Sequence, residues 1–147
     1  MKLLLNLQNN RINLLKMIDL QLWELMYTLN RDIIDKYKLI RKTDTMIEYM
    51  FKFNSFSIFP AFYTHMIIHK VENKFTTQNV DTPDELKYNN CVKLSILSET
   101  VDIVGTDHCI NIEINLELEE DSKILEPAIK NIFKKIFSRI KIYFESL

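Results

Sequence analysis

The sequence predicts an α+β fold: a curved antiparallel β-sheet with one long C-terminal helix laid across it, and helices near the N-terminus. Three observations carry this. From Ile110 to Glu119 apolar and polar side chains alternate without a break, with Ile110, Ile112, Ile114, Leu116 and Leu118 on one face and Asn111, Glu113, Asn115, Glu117 and Glu119 on the other. That is the period of a half-buried strand. After the acidic turn Glu120-Asp121-Ser122 the period becomes helical, through Ile129, Ile132, Phe133, Ile136, Phe137, Ile140 and Phe144. Between residues 38 and 104 lies a series of strand-like segments punctuated by polar turns.

Taken in order, Lys2 to Gln8 is an apolar run that serves as a first strand or as the lead-in to a helix. Asn10 is placed to cap the next helix. Leu15, Ile18, Leu22, Leu25 and Leu29 recur at three and four residues, which predicts a helix from about residue 11 to residue 29. Asn30 stops it, and Arg31 to Tyr37 reads as a short second helix. Lys38 to Lys42 and Met46 to Phe53 are strands joined by the turn Thr43-Asp44-Thr45. Asn54-Ser55 turns the chain, Phe56 to Ile58 begins another strand, and Pro60 limits it. Phe62 to Val71 is a long strand, turned by Asn73-Lys74 into Phe75 to Gln78. Residues 79 to 90 are polar and form a loop expected to be mobile. Cys91 to Leu97 and Ser98 to Val104 are strands, and Gly105-Thr106-Asp107 turns into the last one. Pro127 falls in the first turn of the final helix, where its missing N–H costs nothing.

Composition sets bounds. A chain of 147 residues is one domain, 1–147, and an aromatic fraction of 11% permits a sizeable core or a core with a cavity. A net charge of −1 gives no global pull toward nucleic acid or anionic membranes. No apolar stretch is long enough for a transmembrane segment, and the opening Met1 to Leu7 is too short and interrupted for a secretory signal. The expectation is a soluble intracellular protein, cytoplasmic or organellar. Cys91 and Cys109 read as free structural thiols. With Gly105 the only glycine, most turns fall to Asn, Asp and Ser. The richness in Ile, Asn and Lys points to an AT-rich coding genome.

The last strand, Cys109 to Leu118, with the helix Ile124 to Ile136 behind it, resembles the START-like, helix-grip (SRPBCC) superfamily. Trp23-Glu24-Leu25-Met26 is similar to the helix after that family's first strand. The glycine-rich loop of some relatives is absent, and Thr43-Asp44-Thr45 stands in its place. The resemblance implies a cavity between sheet and long helix that holds an apolar molecule such as a lipid, isoprenoid, sterol or polyketide.

A concave sheet cannot be filled by one helix alone, so the remaining volume is packed with large side chains or left for a ligand. Phe51, Phe53, Tyr63, His65, Ile67, Phe133, Phe137 and Ile140 are the candidate cavity residues. Phe56, Phe59, Phe62 and Phe144 join the aromatics able to fill or line such a space.

No catalytic residues stand out. His65 and His69 share a strand face about 13 Å apart, too far to chelate one ion, so no metal site is expected. Glu113, Glu117 and Glu119 lie opposite a full apolar face and read as solvated. The basic residues of the last helix, Lys130, Lys134, Lys135, Arg139 and Lys141, form its outer arc. No cofactor is implied. The expected function is non-catalytic binding or carriage of a hydrophobic small molecule or lipid. The rival is a protein-interaction module with a filled core, its Leu15-to-Leu29 stripe docking a partner or a second copy.

Overall fold

Strand β8 (Cys109–Leu118) shows why the sheet curves over a helix. Its inward residues Ile110, Ile112, Ile114, Leu116 and Leu118 are all buried, while Asn111, Asn115 and Glu117 face water. Burying one face forces that face against another layer. The layer is α3 (Glu126–Glu145), whose Ala128, Ile129, Ile132, Ile136, Phe137, Ile140 and Phe144 form its buried stripe. Ile142 falls off this stripe and is exposed.

The computed structural model describes residues 1–56 and 58–147. Among these residues the other strands are β1 (Lys2–Gln8), β2 (Ile34–Lys42), β3 (Met46–Phe53), β4 (Phe62–Val71), β5 (Lys74–Asn79), β6 (Val92–Lys93) and β7 (Ile96–Gly105). They form one sheet in the order β1-β8-β7-β5-β4-β3-β2, with the short β6 added parallel to β4. All other pairings are antiparallel. Two short helices, α1 (Leu14–Met17) and α2 (Leu22–Leu29), carry the chain from β1 at one edge to β2 at the other.

Three sequence expectations are corrected. The single helix from 11 to 29 is two helices. Ile18 is extended (φ −88°, ψ 101°), and the Asp19 carboxylate accepts from Gln21 N at 2.8 Å, starting a new turn. The apolar periodicity survived that break because both helices pack on one core, so periodicity alone could not reveal it. Leu14, Ile18, Leu22, Trp23 and Met26 are consequently buried within the chain, and the leucine stripe is no continuous outer face. The second correction concerns Arg31 to Tyr37, which is a turn followed by the start of β2. Asn30 Nδ2 caps α2 by donating to Met26 O at 2.8 Å, and Ile34 then enters the sheet opposite Phe53. The third is the stretch from 91 to 104. Only Val92–Lys93 pairs there before β7 begins at Ile96. The predicted strand at Phe56 to Ile58 includes Ser57, which lies outside the described residues; Phe56 itself makes an isolated bridge to Phe59.

The C-terminal part of α3 is tied down by polar contacts. The Arg139 guanidinium donates to both carboxylate oxygens of Asp32, the Nη2–Oδ2 distance being 2.9 Å, and to Asn30 Oδ1 at 3.1 Å. Lys141 Nζ donates to Asn6 O at 2.7 Å, and Asn9 Nδ2 to Phe144 O at 2.8 Å. These contacts hold the helix in place over the sheet.

Candidate functional site

Strand register decides which side chains face α3. β3 and β4 pair so that Phe53 meets Phe62, Phe51 meets Thr64, Tyr49 meets Met66 and Ile47 meets Ile68. Successive strand residues point to opposite faces. The odd residues of β3 and the even residues of β4 therefore share the concave side.

There, a cavity of about 50 Å³ lies between the sheet, α2 and α3. Its wall is apolar over most of its extent, with Phe51, Phe53 and Phe62 from the sheet, Trp23 and Met26 from α2, and Phe133, Phe137 and Ile140 from α3. The rings are in contact with one another: Phe53 stacks on Phe62 at 4.6 Å between centroids, and Phe133 lies 5.6 Å from Phe137. Drug-sized ligands occupy roughly 300–1,000 Å³. This space is smaller, so a ligand of more than a few heavy atoms must push rings into other rotamers.

Three polar side chains interrupt the wall: Tyr49, Thr64 and Glu99. Glu99 comes from β7 beside Thr77 of β5, and Thr77 Oγ1 donates to Glu99 Oε2 at 3.1 Å. Burial raises the Glu99 carboxyl to about 7, and the Thr77 hydrogen bond offsets only part of that. Glu99 as a residue is half-buried and lies on the cavity wall. The Tyr49 hydroxyl is pushed well above its ordinary range, first by burial and then by the nearby Glu99 carboxyl. Thr64 is 6% exposed, and its hydroxyl offsets part of the rise at the neighbouring Tyr49 hydroxyl. Among the described residues, the cavity wall includes no lysine, arginine or histidine.

Of the eight candidate cavity residues, Phe51, Phe53, Phe133, Phe137 and Ile140 lie on this wall. Tyr63, His65 and Ile67 do not. They alternate with Phe62, Thr64 and Met66 and so point to the convex face, a one-residue parity that the flanking apolar residues on both sides concealed. Of the other aromatics, Phe62 is on the wall; Phe56 and Phe59 pack at the edge of the core.

The convex face has its own polar network. His65 is 1% exposed, with Nε2 at 2.8 Å from Glu48 Oε2 and Nδ1 at 3.0 Å from Thr82 Oγ1. Arg41 Nε donates to the other oxygen of Glu48 at 2.7 Å. Burial alone would raise the Glu48 carboxyl, but the hydrogen bonds from His65 and Arg41 outweigh it and hold the carboxyl below its usual range. Thr82 belongs to the 79–90 loop, which folds back over β2–β4. Val80 N donates to His65 O at 3.0 Å, Lys93 Nζ reaches Val80 O, and Tyr88 packs edge-on to Tyr63 at 5.6 Å. Sequence spacing held no sign of this network, because its members come from four separate segments. A threonine, a histidine and a carboxylate in one chain of hydrogen bonds resemble a nucleophile set, yet Thr82 is 8% exposed and covered by its own loop. The network fastens the loop to the sheet.

His69 is exposed, and His108 Nδ1 lies 2.8 Å from Ile12 O. Among the described residues no group of three or more histidine, cysteine or acidic side chains is placed to hold a metal ion. No helix among them is long and apolar enough to cross a membrane. Both cysteines are free thiols.

No family model matches the chain, and no curated protein matches it in sequence. Solved structures do match its fold. The human StarD13 (DLC2) lipid transfer and protein localization domain superposes with a TM-score of 0.67 at 13% identity, covering 99% of this chain and 77% of that one. Major latex-like protein 151 from Panax ginseng superposes with a TM-score of 0.59 at 11% identity, covering 98% and 97%. The chain has the START-like helix-grip fold.

Proposed function

We propose that this chain is a non-catalytic binding or carrier module for a hydrophobic small molecule held between the sheet and α3. One observation carries the reading: the gap sits where sheet, α2 and α3 converge, and its wall is apolar apart from three side chains. Apolar ligands gain about 25 cal/mol for each Å² removed from water, and such a wall supplies that surface. The likeness to the StarD13 lipid transfer and protein localization domain supports the same reading through fold alone. Rings fixed by stacking rather than by hydrogen bonds can change rotamer and enlarge the space.

The test is thermal unfolding of delipidated protein against a panel of lipids, sterols, quinones and polyphenols, paired with native mass spectrometry of protein taken directly from cells. At least one ligand class should raise the melting temperature, and a bound small molecule should accompany the native protein. No shift with any class, together with a bare native mass, overturns the proposal.

A second reading has its own support in the small cavity volume of about 50 Å³. Side chains then close the core, and the chain acts through its outer surface as an interaction module. A groove of about 250 Å³ between α2 and the end of α3, beside Leu25 and Tyr143, is the place where a partner would meet the remnant of the leucine stripe. The same two measurements separate the readings, because a filled core gives neither a shift nor a bound ligand.

A further inference from the structure

We propose that the cavity takes an uncharged apolar molecule with one acceptor oxygen, which receives a proton that the Tyr49, Thr64 and Trp23 side chains cannot place among themselves. This rests on the reading of the cavity as a binding site and specifies its ligand class.

All three side chains lie on the cavity wall. Tyr49 pairs with Met66 and Phe51 with Thr64, so Tyr49 and Thr64 are diagonal neighbours on the concave face of adjacent strands. A side chain as long as tyrosine spans such a diagonal. The Thr64 hydroxyl and the Trp23 indole are the hydrogen-bonding neighbours of the Tyr49 hydroxyl. Beyond Tyr49, the Thr64 oxygen has no partner among the described residues.

Protons outnumber acceptors in this cluster. An indole N–H only donates, and each hydroxyl carries one proton. Trp23 can give its proton to the Tyr49 oxygen, and one bond can join the two hydroxyls. Whichever way that second bond points, one hydroxyl proton is left without an acceptor. Buried polar groups in folded proteins are almost always bonded. A carbonyl, ether or alcohol oxygen on the ligand supplies the missing acceptor, whereas an ammonium has no lone pair to offer. A carboxylate has lone pairs but also a charge. Among the described residues the wall holds no cation to pair with it, and Glu99 stands there with the same sign. Phe51, Met66 and Leu116 on the same wall suit the hydrocarbon body.

Acetophenone, ethylbenzene and benzoate are nearly one size and differ in the group beside the ring. Calorimetric titration of the whole chain with each, at pH 8.5 where Glu99 is ionised, tests the assignment. Acetophenone should bind about tenfold or more tighter than benzoate. The carbonyl infrared band of bound acetophenone should lie below its position in hexane. Trp23 is the only tryptophan, so its indole N–H resonance is unambiguous and should move when acetophenone binds. Tyr49→Phe removes the oxygen that both neighbours use and leaves their protons unmatched. It should therefore raise the acetophenone preference over ethylbenzene about threefold or more. Circular dichroism melts establish that the variant folds; if it does not, the infrared band, the indole resonance and the benzoate comparison in the natural protein decide. A band placed as in hexane, an unmoved indole resonance, benzoate binding as tightly as acetophenone, or a preference that stays level or falls in Tyr49→Phe overturns the oxygen assignment while the cavity reading stands. Absence of binding by all three probes overturns both.

Discussion

His65 Nε2 lies 2.8 Å from Glu48 Oε2 on the convex side of the sheet, facing away from the cavity that its strand helps to form. The pair is closed at one end by Arg41 and at the other by Thr82, so it joins β2, β3, β4 and the 79–90 loop. Removing the ring leaves Glu48 and Thr82 short of a partner under cover. His65→Ala should therefore cost about 2–4 kcal/mol in urea unfolding. It should also raise hydrogen exchange at Val80, whose N–H bonds the His65 carbonyl. Binding of an apolar ligand should be unmoved beyond the loss of stability. A change in ligand preference without faster exchange in the loop would contradict this placement.

Glu99 should leave a signature in the pH dependence of stability. Its carboxyl is raised from 4.5 to about 7, so the folded state holds a proton that the unfolded chain releases earlier. Stability from this group is therefore full below pH 4.5, falls as pH rises to about 7, and is level above that. The displacement corresponds to at most roughly 3 kcal/mol. Glu48 acts in the opposite sense. Its lowered carboxyl contributes stability above its ordinary range and loses it as pH falls through the lowered value. Denaturant midpoints from pH 4.5 to 7.5 should decline in the natural protein relative to Glu99→Gln. Parallel curves would show that the carboxyl is solvated.

Gly105 ends β7 at φ +142°, where a Cβ would stand 2.2 Å from Cys109 O. No side chain fits that space, because the obstacle is backbone of the partner strand. Gly105→Ala should destabilise by about 2 kcal/mol or more, both from strain at that φ and from opening the β7–β8 turn. An unchanged melting temperature would mean that the turn can be rebuilt at no cost.

Phe137 is 8% exposed and lies on the cavity wall against Phe133. Phe137→Ala should cost about 3–5 kcal/mol. The enlarged space should also bind a small apolar molecule such as benzene more tightly than the natural protein does, by calorimetry. Loss of stability without any gain in binding would indicate that the sheet and α3 collapse together.

Arg139 and Asp32 make a two-pronged pair, but Asp32 is mostly exposed. Arg139→Met should cost no more than about 1 kcal/mol, and high salt should shrink the difference. A larger loss would point to the bond from Arg139 to the buried Asn30 as the main contribution.

The sequence announced the second half of the fold more clearly than the first. β8 and α3 each carry one uninterrupted period, and β3 and β4 begin and end where their bulky residues do. The N-terminal region misled because α1 and α2 share a stripe across a break that only Ile18 and Asp19 mark. Cavity residues were legible on α3, where the helical period fixes the face. They were half legible on β4, where buried residues occupy both sides, so Tyr63 and His65 gave no hint of parity. Glu99 escaped notice altogether. It lies in a polar run, Ser98-Glu99-Thr100, and only its parity with the buried Val101 and Ile103 of the same strand places it on the inner face.

β1 is the first strand along the chain, yet it lies beside β8, the last one, so that Asn6 bonds Asn111 across 105 residues. During synthesis β1 stays unmatched until β8 has also left the ribosome. Closure of the architecture is thus a long-range event, of the kind that slows folding by the entropy of bringing distant segments together.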